Sequence, residues 1–412
     1  MISSRKTIFL TLTAGCGIML LTFGPRSALG LFMEPVSSSN QWSREIFALA
    51  IAIQNLMWGF TQPFFGALAD RFGPTKVIIL GTILYSLGVA MMSIADTSVT
   101  LYLSVGLLAG LGLSGASITI VIAAVAQRVP EEKRSVSLGL ITAAGSLGQF
   151  SVVPACQSVI LEHGWQIGSL FLAGLILLVV FFAAGFGSSK RAIAAPPQKS
   201  EMQKVIKIAF GERSYLLLVT GFFVCGFHVA FITNHFPAYL TDSGIDSKHA
   251  AWAISLIGLF NIFGAYLSGL LGGKYSKRNL LFYLYSLRAI LISLFLLLPI
   301  SSLTIGIFSC VMGLLWLSTV PLTSGLVSVM FGTRFLGCLY GFVFLSHQLG
   351  AFCGVLMGGV VHETTGSYRE VWIVAVLLSF LAAFLHLPIK EQFSAKMTKE
   401  NISPLRNWIF LS

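Results

Sequence analysis

Apolar runs of about 20 residues, parted by short polar breaks, recur along the whole chain. A helix needs roughly that many apolar residues to cross the hydrocarbon core of a bilayer. The pattern predicts spans near residues 8–33, 45–68, 75–95, 99–126, 134–160 and 166–187. After a polar stretch it predicts six more, near 214–240, 248–272, 279–299, 302–326, 335–361 and 370–388. The expected fold class is therefore an all-α membrane protein with twelve transmembrane helices in two six-helix halves. A β-barrel would instead show short alternating segments. The opening Met1 to Lys6 and the apolar run behind it resemble a signal peptide, but the run outlasts a normal apolar region and reads as the first span.

Composition agrees. Of 412 residues, 56% are hydrophobic and only 10% charged, too little charge to cover a water-soluble globule of this size. The net charge of +11 does not point to nucleic acid, because the basic residues are spread over the loops. If the N-terminus is cytoplasmic, 21 Lys/Arg fall in inner loops and tails, three in outer loops (Arg44, Lys248, Arg369) and two inside spans (Arg26, Arg288). That bias fixes an expected orientation in the cell (inner) membrane, multi-pass, with both termini cytoplasmic. Residues 1–187 are expected to form the N-terminal bundle and 188–213, with Ala-Pro-Pro and several lysines, a cytoplasmic linker. Residues 214–388 are expected to form the C-terminal bundle and 389–412 a cytoplasmic tail. The six cysteines lie in or beside apolar runs without ligand spacing and read as small buried hydrophobes, so no metal or disulfide is expected.

The halves echo each other faintly. Gly66–Lys76 and Gly269–Asn279 are both glycine-containing basic loops after a second span, and Leu138–Pro154 and Leu339–Gly354 are both glycine-rich fifth spans. Paired six-span halves mark transporters that rock about a site at their interface. The loop Gly66-Ala-Leu-Ala-Asp70-Arg71-Phe-Gly73-Pro-Thr-Lys76 is the most specific short pattern. Gly66 is expected to let helices approach closely and Gly73 to permit a tight turn. Asp70 could bond neighbouring helix ends in one conformation only; against that, Asp70, Arg71 and Lys76 could simply mark a solvated inner loop.

That loop resembles the signature of the major facilitator superfamily. Within it the chain most resembles bacterial relatives of the monocarboxylate transporters and oxalate/formate antiporters. The resemblance runs through Gly24-Pro25-Arg26-Ser27-Ala-Leu-Gly30-Leu-Phe32, Trp42-Ser43-Arg44-Glu45, Leu107–Gly112, Gly139, Ala144-Gly145-Ser146, Pro154 and Gly164-Trp165. It resumes at Tyr340-Gly341, Gly354 and Glu363-Thr-Thr-Gly366-Ser367-Tyr368. It implies alternating access through a central cavity lined mainly by the first, second, fourth and fifth spans of each half.

Arg26 follows Gly24-Pro25, which should loosen the helix and free carbonyls. An arginine at this depth costs a few kcal/mol or more unless it faces protein, water or a ligand; snorkelling to the interface is the bland reading. The resemblance implies a cation here that serves the transported anion. Arg288 lies near the middle of span nine with no intramembrane acid to pair with, so an anionic ligand and structural bonding compete. The family's substrate arginine and acid belong in span eight, where this chain has Asn261 and no arginine, a departure that leaves substrate and proton path open. His228 and His235 form one stripe with Phe231 and Tyr239 on span seven. His347 and Gln348 lie in span eleven, where the resemblance to antiporters implies a cationic contact. Each histidine could bond a carboxylate or carry a proton, or be satisfied by packing. Asn55, Trp58, Gln62, Ser114, Ser117, Gln149, Trp316 and Thr319 suit a cavity wall or interhelical hydrogen bonds equally.

The function expected is a secondary carrier of a small organic anion, a monocarboxylate first, with Arg26 holding the carboxylate and a proton as candidate co-substrate. A drug or metabolite exporter of the same superfamily ranks second, because cationic cargo calls for an intramembrane acid. A non-transporting receptor ranks third. No cofactor or enzymatic activity is expected, since no phosphate loop, HExxH or Ser-His-Asp grouping occurs. The working unit is expected to be a monomer.

Overall fold

The computed structural model describes residues 5–126, 129, 131–186, 199–332 and 335–399, and no strand occurs among them. Helix α1 (Arg5–Ala28) passes through a 3-10 turn (Leu29–Phe32) into α2 (Met33–Asn40). α3 (Arg44–Phe72) and α4 (Pro74–Met92) follow. Span four is built from α5 (Ser98–Leu101), a π segment (Tyr102–Leu108), α6 (Ala109–Gly115) and α7 (Ile118–Ala126). α8 (Glu131–Leu177) and α9 (Val179–Ala183) complete the first half. α10 (Lys199–Phe210) leads to α11 (Arg213–Asp242), α12 (Ser247–Gly272), α13 (Lys277–Leu297), α14 (Ser302–Leu315), α15 (Thr319–Phe331), α16 (Leu336–Thr365), α17 (Arg369–His386) and α18 (Ala395–Lys399).

Ten described helical stretches are long and apolar enough to cross a membrane, and two local features account for the difference from twelve. α8 holds two crossings that part at Gly164, whose φ of +85° is open to glycine and strained for other residues. α3 has the length, 29 residues, but Gln54, Asn55, Thr61 and Gln62 dilute its hydropathy. Span one is longer than expected because α1, the 3-10 turn and α2 form one apolar stretch, Ile8–Asn40. Large apolar side chains such as Phe64, Phe181 and Leu297 stand on the outer surface, as a lipid-facing wall requires.

Spans four and ten repeat one design. Each opens on a hydroxyl capping box, Thr97 with Thr100 and Ser301 with Thr304, which satisfies backbone N–H groups that a helix start leaves bare. Each then breaks: at Ala116 (φ −97°, ψ 27°) and at Trp316 (φ −56°, ψ −87°). The packing of α11 on α16 is closest where glycine removes the side chain. A Cβ on Gly226 would lie 1.7 Å from the His347 carbonyl oxygen, and one on Gly350 1.9 Å from that of Phe223, so backbone meets backbone.

The expected linker contains helix α10, and residues 187–198 lie outside the described set. The start of the tail is pinned to the second half. Ser394 donates to Glu212 Oε1 at 2.8 Å, and Arg278 Nη1 donates to the Ile389 carbonyl at 3.0 Å. Glu391 Oε2 caps α13 by accepting from Lys277 N (2.8 Å) and Ser276 Oγ (2.9 Å), while Oε1 pairs with Lys277 Nζ at 2.9 Å. Burial alone would raise the Glu391 carboxyl, but the bonds from Lys277 and Ser276 outweigh it and hold it below its usual value. A carboxyl whose pKa falls on folding adds stability above its unfolded pKa and loses it as pH drops through the folded one. Glu391→Gln is therefore expected to cost up to about 1 kcal/mol at pH 7, water screening keeping it small, and less at pH 3. Thermal unfolding of wild type and variant at both pH values measures the difference.

Candidate substrate site between the halves

Pro25 sits inside α1 and removes one backbone donor, and the next residue carries the buried charge. Arg26 is 9% exposed. Its Nη2 donates to Asn55 Oδ1 of α3 at 2.9 Å, and its Cζ lies 4.9 Å from the centroid of the Trp58 ring. Its Nε has no partner, and neither has the buried Tyr85 hydroxyl of α4 within its electrostatic reach. Among the described residues no carboxylate pairs with Arg26; a neutral amide and an aromatic face are all that compensate it.

From Arg26 the cluster crosses into the second half. The Trp58 ring meets Phe344 edge-on at 5.3 Å, and Phe344 stacks on His347 at 5.7 Å with 6° between planes. Gln348 Nε2 donates to the Asn55 carbonyl at 3.4 Å, and Gln348 Oε1 lies 3.0 Å from His347 Nδ1. An amide oxygen only accepts, so this contact places the ring proton on Nδ1. The fold thus brings Arg26, Asn55, His347 and Gln348 together from α1, α3 and α16. Behind His347, the Phe222 ring lies at 5.0 Å, and the Cys225 thiol lies 3.2 Å from Thr319 Oγ1.

Other expected site residues lie elsewhere. Arg288 is fully buried, but its Nε donates to the Leu315 carbonyl at 3.1 Å and its Nη2 to the carbonyls of Leu315 and Trp316. It caps the break in span ten, with its Nη1 left unpartnered. His228 Nε2 is 2.9 Å from the Ala375 carbonyl of α17, and His235 Nε2 is 2.8 Å from the Val355 carbonyl of α16. Both are fully buried in helix packing away from Arg26, because their stripe faces α16 and α17, with Phe231 against Trp372 at 4.9 Å. Gln149 ties the halves together: its Nε2 donates to the Ile254 carbonyl of α12 at 2.9 Å. Asn261 does the same, donating to Ser146 Oγ and accepting from Leu317 N, both at 2.9 Å.

In the loop motif, Gly73 takes φ +89° and turns α3 into α4, with Pro74 as the first helical residue. Gly66 departs from expectation: among the described residues, a Cβ there would meet nothing within 4 Å. Lys76 is exposed. The side chains of Asp70 and Arg71 lie outside the described residues.

On one side of the cluster the halves meet closely, and on the other their glycines face open space among the described residues. Gly59 packs on Gln348 and Gly258 on Gln149. Further toward the face opposite the termini, Gly359 packs on Ala48 and Arg44 joins Asp242, His362 and Tyr368. Seven residues the other way along α3 and α16 stand Gly66 and Gly341, and ten or eleven along α8 and α12 stand Gly139 and Gly269; among the described residues a Cβ on any of these four would meet nothing within 4 Å. Two to three helical turns, roughly 10 to 16 Å, separate contact from open space. Sequence reasoning missed Phe344, Phe222 and Cys225, and it missed the pairing of Arg44; only the rarity of charge in the loops opposite the termini could have flagged that pairing.

The chain is similar over nearly its whole length to known transporters. It is 25% identical over 389 residues to the uncharacterised MFS-type transporter YcxA of Bacillus subtilis (strain 168), covering 92% of this chain and 94% of that one. It is 26% identical over 400 residues to monocarboxylate transporter 13 of Bos taurus, covering 92% and 89%. A solved bacterial homologue of the human lysosomal transporter Spinster, inward-facing and occupied, superimposes with a TM-score of 0.73 at 14% identity, covering 95% of this chain and all of that one. The sequence model of the Major Facilitator Superfamily matches residues 15–352. A match from the first span into the eleventh, on a fold of two six-helix halves, places the chain in the Major Facilitator Superfamily.

Proposed function

We propose that this transporter carries a small organic anion of the monocarboxylate class, with Arg26 as the carboxylate anchor. One observation carries the reading: a buried guanidinium at the meeting of the halves whose side-chain partners are a neutral amide and an indole face, with Nε unpartnered. A planar carboxylate is the ligand that such a fork fits best. Trp58, Phe344 and His347 would border its carbon chain, and Gln348 and His347 its polar end. The similarity to a monocarboxylate transporter supports the same class. Under the orientation favoured by the 21 to 3 distribution of basic residues, the parted side faces the cytoplasm of the cell membrane, and rocking of the halves would expose Arg26 to either side in turn. Proteoliposomes test this with a panel of labelled carboxylates and cationic drugs. Saturable uptake of a monocarboxylate, competed by other carboxylates and not by cations, is expected; uptake confined to cations would overturn it.

A further inference from the structure

The seal on the face opposite the termini turns on one guanidinium. Arg44 opens α3 in the first half and is flanked there by Glu34 of α2, while Asp242, His362 and Tyr368 belong to the second half. Arg44 Nε donates to Glu34 Oε2 at 3.0 Å and Nη2 to Asp242 Oδ1 at 2.7 Å, with a further contact to each carboxylate. Nη1 approaches Tyr368 Oη at 3.3 Å and His362 Nε2 at 3.2 Å. Arg44 itself is 12% exposed, but Asp242 is 37% and Glu34 48% exposed, so water reaches the cluster from that face.

A guanidinium has only N–H groups to offer, so the contact at His362 Nε2 needs a lone pair there. The imidazole in this arrangement is neutral, with its proton on Nδ1. The same Nε2 lies 3.4 Å from Asp242 Oδ2, which has only lone pairs to offer. One nitrogen thus stands between two partners that want opposite things of it: Arg44 needs it bare, Asp242 needs it protonated.

We propose that His362 is a proton-binding site that controls this seal: a proton taken up from water at Nε2 turns the ring from an acceptor for Arg44 into a donor for Asp242 and releases α3 from α16. The new N–H bond puts two cations side by side and gives Asp242 a competing partner within its own half, so the bridge between halves weakens. Arg44 keeps all its protons. The other charged or titratable groups around the ring are Glu34 of α2, Glu45 beside Gly359 at the start of α3, His235 of α11, the Tyr368 phenol at 4.5 Å between ring centroids, and Glu363 on its own helix. Arg369 opens α17 just beyond Tyr368. Among these groups the imidazole is the one whose ordinary titration lies nearest neutrality. The consequence for transport, that acid outside the cell favours the outward-open state, rests on the proposed function; the switch itself does not.

Hydrogen exchange of the full chain in lipid nanodiscs, without any substrate, tests the switch. Peptides covering residues 33–50, 236–246 and 355–370 are followed at pH 8 and pH 5, with intrinsic exchange rates corrected. Wild type is expected to lose protection there by roughly tenfold at pH 5. His362→Gln keeps an acceptor for Arg44 and does not titrate, so it should stay protected at both values. His362→Lys carries a permanent charge and should be unprotected at both. If wild type shows no loss at pH 5, or if His362→Gln shows the same loss as wild type, the proposal is overturned. Should His362→Lys fail to fold, the comparison of His362→Gln with wild type still decides. Because no transported solute takes part, failure here is separate from failure of the anion reading.

Discussion

Arg26→Ala is expected to lower carboxylate uptake by about 100-fold or more while leaving the protein folded. Removing the charged partner of a buried ion pair typically costs 2–5 kcal/mol, and each 1.4 kcal/mol is about tenfold. Stability should move little or rise. The wild-type guanidinium lies buried with an unpartnered Nε and no paired carboxylate, so in the empty transporter it is a desolvated charge with incomplete compensation. Truncation frees Asn55 Oδ1 from its bond, but the Asn55 Nδ2 bond to the Ile51 carbonyl at 2.8 Å survives and holds that side chain. Arg26→Lys separates charge from geometry. It keeps a cation but loses the planar fork, so uptake should recover only in part. Initial rates in proteoliposomes, normalised to reconstituted protein, read the effect, and thermal unfolding in detergent reads stability. Uptake by Arg26→Ala at the parental rate would sink the anchor assignment. A parallel fall in stability would instead make Arg26 a structural residue, its bond to Asn55 the thing that mattered.

The spans were legible because the bilayer imposes one length and one polarity on every crossing, and twenty apolar residues say the same thing wherever they occur. Even the turn hidden inside α8 was legible, because polar Glu162 and His163 precede Gly164, whose positive φ parts the two crossings. The site was half legible. Arg26 stood out because a cation in an apolar run has few bland explanations. His228, His235 and Gln149 were ambiguous because a helix pattern shows which residues share a face but not what that face meets. Carbonyls of α17, α16 and α12 meet them, and such partners leave no trace in sequence. Cys225 looked like a small hydrophobe, yet its thiol lies 3.2 Å from the Thr319 hydroxyl. The Arg44 cluster joins residues almost 200 to over 300 positions apart, so only the folded halves reveal it.

Arg288 is where the two readings of an intramembrane cation part most cleanly. Replacing it with methionine is expected to destabilise the protein by about 3 kcal/mol, because the Leu315 and Trp316 carbonyls would be left buried and unpaired where span ten breaks. Trp316 departs from helical geometry at ψ −87°, so the carbonyls there need donors from outside the helix. Asn261 holds the other side of the break through Leu317 N and ties it to Ser146 of the first half. Losing Arg288 should therefore loosen both span ten and the contact between halves. Some relief comes from deleting a buried charge whose Nη1 has no partner, which keeps the cost below the sum of two lost carbonyl bonds. Arg288→Lys offers a single donor group and should recover part of the loss. Thermal unfolding beside uptake per folded molecule distinguishes the roles. A capping arginine gives a large fall in stability with uptake by the surviving folded protein reduced only modestly. Parental stability with abolished uptake would move Arg288 into the substrate site and put a second positive charge on the anion.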